Sequence, residues 1–546
     1  MTSRGVSTAA AYLRFMRGLR GAFKERLTLA EAQDIVRQSL TDREDRFLTF
    51  VEKHVYGNPR SPYLPMLKLA GCELGDLRNM VQDKGLEPSL LALREAGVYV
   101  SFEEFKGRKP IVREGQVLDV QPEDFLNPWL DAYLETTSSG STGRPTRSRL
   151  SAEGAVSVRS GVGNLILAHA HGFLGQPKAI WNPILPTGAG LGQILRGVWS
   201  DQVPVRWFSP GTTRALGSSL GYRMATYSLV LFLRTRGVPA PLPEWVPVEK
   251  AITVARWAVE TVQKHGGCVI NTYPSLALRV SLAAQEHGLD LTGLTLMGAG
   301  EPTTDAKWRG IIRSGARWAP YYSLTEAGNV GMGCANPADG NDVHWMKGQL
   351  GMIQYPRQLP GSTVSVNVFY YTTLQRSPTK SLLNMESDDF GVLEERHCGC
   401  PLEELGLTQH IRHIRSFAKL TAEGMTVAGT AMVRILEDVL PARFGGAALD
   451  YQLQEGEDEE GFTRYYIVVH PRVHLDEEQA VLQAVWEGLR QTGPGEHVSQ
   501  SMWQQAQTFR IKRAEPIWAG GGKFQPLLRH AIAGSSVHER KEMEPE

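Results

Sequence analysis

Apolar runs and amphipathic stretches alternate along the chain from residue 268 onward. The run CVINT (268–272) is followed by the helical pattern PSLALRVSLAAQEHG, and the run LTLMGAG is followed by TTDAKWRGIIRSG and then by ARWAPYYSLTE. Short buried strands separated by amphipathic helices predict a parallel sheet. Because ligands of such sheets lie beyond the carboxyl ends of the strands, the pattern predicts a site near MGAGE and YYSLTE.

Helical signals mark the N-terminal part of the chain. Thr28 with Glu31, and Thr41 with Glu44, each fit a capping box. Apolar positions recur at helical spacing between residues 47 and 55. We therefore expect a mainly helical scaffold in this part of the chain.

The later part of the chain changes character twice. TVSVNVFYY (363–371) alternates like a strand and predicts a β-rich portion. Beyond it come an acidic loop, EGEDEEG, a strand, RYYIVV, a helix, DEEQAVLQAVWEGL, and a tail with AGGGKFQPL. We predict an α/β protein with a large N-terminal domain (1–412) of parallel-sheet subdomains and a β-rich portion. Its first part (1–130) is mainly helical, and a small mobile C-terminal α/β domain (413–546) follows.

Composition narrows the class of partner. The chain has 546 residues, 42% of them hydrophobic, and its 58 basic side chains balance 58 acidic ones. Because the chain has no net charge to attract nucleic acid or an anionic membrane, small-molecule partners are expected. The protein is expected to be a monomer or a homodimer. No apolar run approaches the ~20 residues that span a bilayer, and the N-terminus lacks the apolar core of a signal peptide. This pattern predicts a cytoplasmic protein.

The stretch SSGSTGRPT (138–146) has three alternative interpretations. A flexible linker fits poorly, because the stretch leads into alternating TRSRL and then into the helical AVSVRSGVGNLILAHA. A Walker loop needs Gly-Lys-Ser/Thr opening directly onto a helix, whereas Thr146 precedes a strand-like stretch. The third alternative fits best: a loop whose backbone N–H groups and hydroxyls wrap the outer phosphates of ATP.

Five stretches, in order, resemble the motifs of the adenylate-forming (AMP-dependent acyl-CoA synthetase) superfamily. SSGSTGRPT resembles its phosphate loop, MGAGEP its adenine-side loop, YYSLTE its Tyr-x-x-Thr-Glu motif, SDDFGVL its ribose-binding segment, and RAEPIWAGGGKFQPL its closing motif with the catalytic lysine. The double Ser and the Thr after Pro look most like the phenylacetate-CoA ligase branch. The resemblance implies an ATP-dependent, AMP-forming ligase that needs Mg²⁺, makes an acyl or aryl adenylate and passes the acyl group to a thiol, expected to be coenzyme A.

The resemblance also implies roles for single residues. Lys523, Glu326 and Thr325 would be catalytic: Glu326 as the Mg²⁺ ligand, Thr325 at the α-phosphate, and Lys523 as a charge that swings onto the reacting carboxylate. Tyr322 would stack on adenine, and Asp389 would bind the ribose hydroxyls. The residues expected to bind the nucleotide are Ser138, Ser139, Gly140, Ser141, Thr142, Gly143, Gly300, Glu301, Pro302, Tyr322, Asp389 and Arg415.

Some positions depart from the family pattern or leave its register open. In YYSLTE, Ser323 stands where the family has Gly, and Asp388 offers a second register for the ribose ligand. In HIRHIRSFAKLTAEGMTV, which should carry the hinge, Arg415 aligns with the family's arginine, but Phe417 and Ala418 replace its paired acidic residues. The acceptor therefore stays open. A carrier-protein thiol, an amine or a protein cysteine is an alternative to coenzyme A, and activation of a non-carboxylate group is an alternative first step.

The cysteines raise the question of a metal. Five cysteines are too few, and odd in number, for a disulfide framework, so reduced thiols are expected. Cys398 and Cys400 flank one Gly, while Cys334 and His344 lie in the preceding segment, GCANPADGNDVHW. Members of the phenylacetate-CoA ligase branch look similar in these two segments, and some bind zinc there; Zn²⁺ prefers four S and N ligands. A structural zinc site, with His397 as a substitute ligand, and unmetallated thiols both stand as alternatives.

The substrate pocket and two competing functions complete the expectations. The pocket is expected between the first sheet and the MGAGEP loop, with Tyr273, Pro274 and Ala299 in its lining, which would suit an aromatic or other small organic acid. A nucleotide-binding homologue without turnover is an alternative, although Glu326 and Lys523 are both present. A dinucleotide-dependent oxidoreductase is disfavoured because GAGEPT lacks the third glycine of GxGxxG.

Overall fold

The structure is a computed structural model that describes most of the chain. The described residues are 26–129, 133–137, 147–151, 158–185, 187–210, 220–324, 326–358, 365–375, 378–416, 419–422, 425–490, 502–519, 523–524 and 526–528. The backbone alone is described for 133–137, 147–151, 158–160, 419–422, 425–431, 490, 518–519 and 523–524.

In the described chain, helices predominate up to residue 105, strands and helices alternate between residues 178 and 324, and strands predominate from there to residue 428. The α-helices are α1 (Leu29–Thr41), α2 (Arg43–Phe50), α3 (Leu64–Leu69), α4 (Leu74–Lys84), α5 (Leu86–Glu95), α6 (Phe102–Phe105), α7 (Val158–Ala170), α8 (Ala189–Trp199), α9 (Leu220–Thr235), α10 (Ala251–His265), α11 (Pro274–Glu286), α12 (Asp305–Arg313), α13 (Gly429–Arg434), α14 (Leu440–Phe444) and α15 (Glu478–Arg490). π-Helical turns cover Val51–Tyr56 and Ile435–Val439, and 3₁₀ turns cover Pro122–Phe125, Val248–Lys250, Glu403–Leu405 and Ala448–Asp450.

The strands are β1 (Ile111–Arg113), β2 (Gln116–Leu118), β3 (Tyr133–Thr137), β4 (Arg147–Ser151), β5 (Lys178–Trp181), β6 (Arg206–Ser209), β7 (Pro243–Trp245), β8 (Cys268–Thr272), β9 (Leu294–Gly298), β10 (Arg317–Leu324), β11 (Gly328–Gly333), β12 (Val343–Trp345), β13 (Leu350–Gln358), β14 (Ser365–Thr373), β15 (Met385–Glu395), β16 (Gln409–Ser416), β17 (Lys419–Ala422), β18 (Met425–Ala428), β19 (Tyr451–Glu457), β20 (Thr463–Val469), β21 (Phe509–Arg513), β22 (Trp518–Ala519), β23 (Lys523–Phe524) and β24 (Leu527–Leu528).

One sheet of twelve strands forms the centre of the fold, in the order β13-β14-β15-β16-β12-β11-β10-β9-β8-β5-β6-β7. From β10 to β7 every neighbouring pair is parallel. From β10 to β13 every neighbouring pair is antiparallel. The predicted α/β fold, with its parallel sheet and its β-rich portion, is confirmed, and the two portions are halves of one sheet that meet at β10.

Strand β8 shows why the pattern predicted buried strands. All five of its residues are buried: Cys268 and Ile270 pack in a core with α10 to α12, whereas Val269 packs in another core with α7. Helices therefore cover both faces of the parallel half, and strands that are buried on both faces become continuous apolar runs.

The first predicted capping box is confirmed, and the second is wrong. The Thr28 hydroxyl accepts from the backbone N–H of Glu31, whose carboxylate accepts from the backbone N–H of Thr28 at 2.9 Å. Thr41 is instead the last residue of α1, and its hydroxyl donates to the Arg37 carbonyl at 3.3 Å. Asp42 is the C-cap of α1 and also the N-cap of α2, so α2 begins one residue later than the pattern suggested.

The C-terminal part contains a second sheet, in the order β21-β20-β19-β24, together with α15. Its parallel and antiparallel pairs give the mixed α/β character that the sequence predicted for this part. Strand β16 crosses the predicted boundary between residues 412 and 413 while it still pairs within the large sheet. The boundary and the mobility of the C-terminal part stay predictions.

Among the described residues, no helix combines the length and the apolar character needed to cross a membrane.

Candidate active site and metal centre

Strands β8 and β9 end level with each other, and the parallel neighbour β10 continues past them to Leu324, which places the predicted motifs side by side. Thr272 of β8 pairs with Gly298 of β9, and Gly298 pairs with Pro320 of β10. The residues that follow these strands therefore share one edge of the sheet: Tyr273 after β8, the MGAGEP loop after β9, and the end of YYSLTE on β10. This is the edge at which ligands of parallel sheets bind.

The MGAGEP loop contains a glycine in a left-handed conformation and a carboxylate that binds the start of α11. Gly300 has a φ of 96°, a left-handed conformation that favours glycine. The buried Glu301 carboxylate accepts from the backbone N–H of Ser275, near the start of α11, and lies 3.9 Å from the Nζ atom of Lys307. A carboxylate at a helix N-terminus is favoured by the helix dipole, so Glu301 fixes the loop against α11.

Tyr322 and Asp389 meet although 67 residues separate them. The Tyr322 hydroxyl donates to Oδ2 of Asp389 at 2.6 Å and lies 2.9 Å from the hydroxyl of Tyr371. Burial, followed by the Asp389 charge, raises the pKa of Tyr322 and of Tyr371 well above the ordinary value. Both phenols are therefore neutral donors, and the structure joins the YYSLTE and SDDFGVL motifs.

The neighbours of Asp389 in the sheet include the predicted hinge arginine. Arg415 pairs across the strands with Phe390, one residue from Asp389, and it donates to the carbonyl of Ile414 at 3.0 Å. Asp388 accepts from the Ser416 hydroxyl at 2.7 Å. Asp389 rather than Asp388 contacts Tyr322, and the choice between the two for the ribose ligand stays a prediction.

Glu326 is paired with a residue that the sequence analysis missed. The Nζ atom of Lys106 lies 2.7 Å from Oε1 of Glu326, and these side chains are 8% and 17% exposed. Thr325 is outside the described residues.

Two predicted motifs fall wholly or partly outside the described atoms. The phosphate loop, with Ser138, Ser139, Gly140, Ser141, Thr142 and Gly143, is outside the described residues, but β3 and β4 on either side pair as an antiparallel hairpin from Tyr133 and Ser151 to Thr137 and Arg147. The predicted strand after the loop is confirmed by β4, and the predicted helix after it by α7. The backbone of Lys523 pairs with Ala519, and its side chain is outside the described atoms.

The predicted substrate residues stand beside a buried polar network. Tyr273 and Pro274 are buried and begin α11, Pro274 being its first residue, whereas Ala299 is half-buried. Burial raises the pKa of Tyr273 above its usual range. Pro302, the last residue of MGAGEP, is half-buried as well.

The network centres on the hydroxyl of Tyr321, which accepts from Gln193 at 3.0 Å and from Asn271 at 3.3 Å. Asn271 in turn accepts from Asn182 at 2.9 Å. The ammonium group of Lys178 donates to Oε1 of Gln193 at 3.3 Å. A chain of polar side chains thus runs from the buried start of β5 to Tyr321, beside the motif tyrosine.

The four predicted zinc ligands do converge. Cys334, His344, Cys398 and Cys400, which we call the cysteine–histidine cluster, have ligand atoms that all lie within 4.8 Å of one another. Nε2 of His344 lies 3.1 Å from Sγ of Cys400 and 3.6 Å from Sγ of Cys398. His397 points elsewhere, since its Nδ1 atom lies 2.7 Å from Oε1 of Glu403.

The orientation of His344 suits a metal. Its Nδ1 atom lies 2.6 Å from the carbonyl of Leu407, which can only accept, so Nδ1 carries the proton and Nε2 presents a lone pair to the sulfurs. The hydrogen bond from Cys334 lowers the pKa of the Cys400 thiol far below its usual value, and the same bond raises the pKa of Cys334. The cluster therefore stabilises a thiolate, which is the form that binds Zn²⁺.

A carboxylate lies behind the cluster. Asp342 accepts from Nδ1 of His410 at 2.6 Å, from Arg396 and from the backbone of Ala338 at 2.7 Å. Burial alone would raise the pKa of Asp342, but these bonds and charges outweigh it and lower the pKa. The His410 ring lies 4.0 Å from the His344 ring, so this second layer supports the cluster from the neighbouring strand.

No protein-family model and no curated protein matches the chain. Among solved structures, the chain is similar to a mutant of the amide bond synthetase McbA from Marinactinospora thermotolerans, with 13% identity over 94% of this chain and 98% of that one and a TM-score of 0.41. It is also similar to a double mutant of o-succinylbenzoate CoA synthetase from Bacillus subtilis, with 10% identity over 76% and 72% and a TM-score of 0.42.

A third similar structure is an anthranilate CoA ligase in complex with anthranoyl-AMP, with 12% identity over 81% of this chain and 72% of that one and a TM-score of 0.33. By their names all three are synthetases or ligases, which is the class that the motifs resemble. It is the five sequence motifs that resemble the adenylate-forming superfamily.

Proposed function

We propose that the protein is an ATP-dependent, AMP-forming ligase that activates a small carboxylic acid as an acyl-adenylate and transfers the acyl group to the thiol of coenzyme A. The observation that carries the proposal is the hydrogen bond between Tyr322 and Asp389 at the carboxyl edge of the parallel strands. It joins two distant motifs whose expected partners, adenine and ribose, are adjacent parts of one nucleoside.

In the proposed adenylation step, some side chains bind the nucleotide and others neutralise the negative charge that develops. One carboxylate oxygen of the acid attacks the α-phosphorus of ATP, the bond to the bridging oxygen breaks, and pyrophosphate leaves with the electron pair. Negative charge gathers on the phosphoryl oxygens, so catalysis is mainly positioning and neutralisation. Tyr322 would hold adenine and Asp389 the ribose hydroxyls. Lys523 would place its charge on the reacting oxygens.

Glu326 fits the role of a magnesium ligand. Mg²⁺ is bound by one or two carboxylates together with phosphate oxygens and waters, and Glu326 offers one largely buried carboxylate. When bound, the ion would neutralise charge on the phosphates. Glu326 and Thr325, next to it, would hold the ion and the α-phosphate at the end of β10.

A panel assay tests the proposal. Pyrophosphate release is measured with aromatic, fatty and amino acids, with and without coenzyme A, using the full chain. Release that depends on one class of acid is expected, followed by formation of a thioester only when coenzyme A is present. The Lys523→Ala variant should lose adenylation, whereas Lys512→Ala, which removes an exposed lysine of β21, should keep it.

Other results of the same panel would redirect the proposal. Adenylation that proceeds to an amide with an added amine, and to no thioester, would move the acceptor from coenzyme A to an amine. No release with any acid, together with tight binding of ATP, would instead favour a nucleotide-binding protein without turnover.

We also propose that the cysteine–histidine cluster binds one structural Zn²⁺. The four donors match a closed tetrahedral site, and three sulfurs with one nitrogen form a donor set that Zn²⁺ prefers. The expected role is to tie β12 to the segment between β15 and β16.

Metal analysis tests the zinc proposal. Purified protein should contain about one zinc per chain, and Co²⁺ in its place should give the intense charge-transfer absorption of thiolate ligands. Cys400→Ser should lose both signals. The matched control is Cys72→Ser, since Cys72 is half-buried and bonds outside the cluster, to Tyr56 and Glu73. Wild-type zinc content in the Cys400 variant would refute the site.

A further inference from the structure

Lys106 lies outside the five motifs, yet its side chain reaches the proposed active site. Its Nζ atom is 2.7 Å from Oε1 of Glu326, a residue 220 positions later in the chain. Both side chains are largely withdrawn from solvent. The mainly helical N-terminal part of the chain thus contributes a charged group beside the carboxylate proposed for Mg²⁺.

The pair is not explained by stability alone. Removing an ammonium and a carboxylate from water is costly, and their attraction in a protein interior often only offsets that cost. A pair of well-packed apolar side chains would stabilise the fold as well. The pair therefore indicates that the charges themselves have a use.

The ammonium group of Lys106 is held in place by aromatic rings. Lys106 directly follows α6, and its Nζ atom lies 5.5 Å from the ring centres of both Phe102 and Phe105. Cations are attracted to aromatic faces at this distance. The two rings fix the position of the charge before any ligand binds.

Further positive charge surrounds the same two rings. Lys380 lies 4.6 Å from the ring centre of Phe105, and Arg108 lies 5.5 Å from that of Phe102. Arg108 also pairs with Glu103 at 2.9 Å, so its charge is partly compensated. Two of these three cations face carboxylates, Lys106 that of Glu326 and Arg108 that of Glu103, so the positive charge around this short helix is largely balanced in the ligand-free protein.

We propose that Lys106 is a phosphate-binding residue of the nucleotide site. Its ammonium group holds the Glu326 carboxylate in position in the ligand-free protein, and it donates to an outer phosphate oxygen of bound ATP. Lysine suits both contacts, because its ammonium is a compact charge with three donors. The inference rests on the proposed function and names a side chain that the motifs do not include.

Direct binding of two nucleotides tests this inference independently of turnover. The affinities of the full chain for ATP and for AMP are measured by calorimetry with Mg²⁺ present and again in EDTA. Lys106→Gln should weaken ATP binding roughly 10- to 100-fold, the size expected for a lost charge-assisted hydrogen bond. AMP binding should change little, because AMP lacks the outer phosphates. Lys106→Arg should recover part of the ATP affinity.

The matched control is Lys109→Gln, which removes the same charge from an exposed position three residues away and should behave as wild type. Equal losses of ATP and AMP affinity in Lys106→Gln would show a structural role and overturn the inference, as would wild-type ATP affinity. If Lys106→Gln does not fold, Lys106→Arg decides: ATP affinity lost together with AMP affinity refutes the phosphate contact. A wild-type protein that binds neither nucleotide would overturn the proposed function first.

Discussion

The buried Lys178 allows a quantitative prediction about stability. Its side chain is 3% exposed, and among the described residues its hydrogen-bond partner is a neutral one, Gln193. Burial, with the positive charge of Arg196 in second place, lowers the pKa of Lys178 from 10.5 to about 7. We predict that Lys178→Met stabilises the protein at pH 6 to 7.

The magnitude follows from that change in pKa. The folded and unfolded values differ by about 3.5, and each unit corresponds to about 1.36 kcal/mol, so the charged form costs roughly 5 kcal/mol on folding. The methionine variant avoids this cost but loses the bond to Gln193, worth about 1 kcal/mol. The expected gain at pH 6 is therefore roughly 4 kcal/mol, as an upper limit.

The sign reverses with pH. Between pH 7 and 10.5 the unfolded chain binds more protons at this lysine than the folded chain does, so the free energy of unfolding of the wild type rises with pH. The advantage of Lys178→Met should shrink across this window. Near pH 10.5 the variant should be slightly less stable than the wild type, because only the lost hydrogen bond remains.

The assay is urea unfolding followed by tryptophan fluorescence at several pH values between 6 and 10.5. The quantity of interest is the difference in free energy of unfolding between variant and wild type, because other titrating groups cancel in it. Lys264→Met, at an exposed position near the end of α10, is the matched control and should show a nearly constant difference. A constant difference for Lys178→Met as well would refute the reasoning from burial.

Three further predictions test the fold and the site. Thr28→Ala removes the confirmed cap of α1 and should cost about 1 kcal/mol in thermal unfolding; no change would contradict the capping role. Gly298→Ala would place a Cβ atom 2.1 Å from the Thr272 carbonyl oxygen, so β8 and β9 must separate; a loss of roughly 1 to 3 kcal/mol or more is expected in urea unfolding, and wild-type stability would count against this packing. Asp389→Asn should raise the KM for ATP about 10-fold or more in the pyrophosphate assay, and an unchanged KM would remove Asp389 from the ribose contact.

Elements with a local pattern could be predicted from the sequence. The runs at 268–272 and 294–298 are short, apolar and flanked by amphipathic stretches, and they became β8 and β9. The cap at Thr28 was equally local. The cap at Thr41 was predicted wrongly because Asp42 ends one helix and begins the next. A Thr followed by a Glu three residues later does not show whether the Thr ends the first helix or caps the second.

The candidate site could be predicted only where its residues fall in motifs. The resemblance to the phenylacetate-CoA ligase branch led from Cys398 and Cys400 to Cys334 and His344, and the structure brings these side chains together. Lys106 could not be found in this way, since nothing in FEEFKGRKP separates it from the exposed Lys109. Its position follows from a contact over 220 residues. The burial of Lys178 depends likewise on the helix that carries Gln193.

The parallel and antiparallel halves of the large sheet meet at β10, and this separates the residues expected to contact the acid from those expected to contact the nucleotide. Tyr273 and Ala299, expected to face the acid, belong to the parallel side, whereas Asp389 and the cysteine–histidine cluster belong to the antiparallel side. Under the proposed function, substitutions that reshape the pocket for another acid would leave the strand pairing around Asp389 unchanged. Homologues with this fold could therefore differ in the acid that they activate and still bind the same nucleotide.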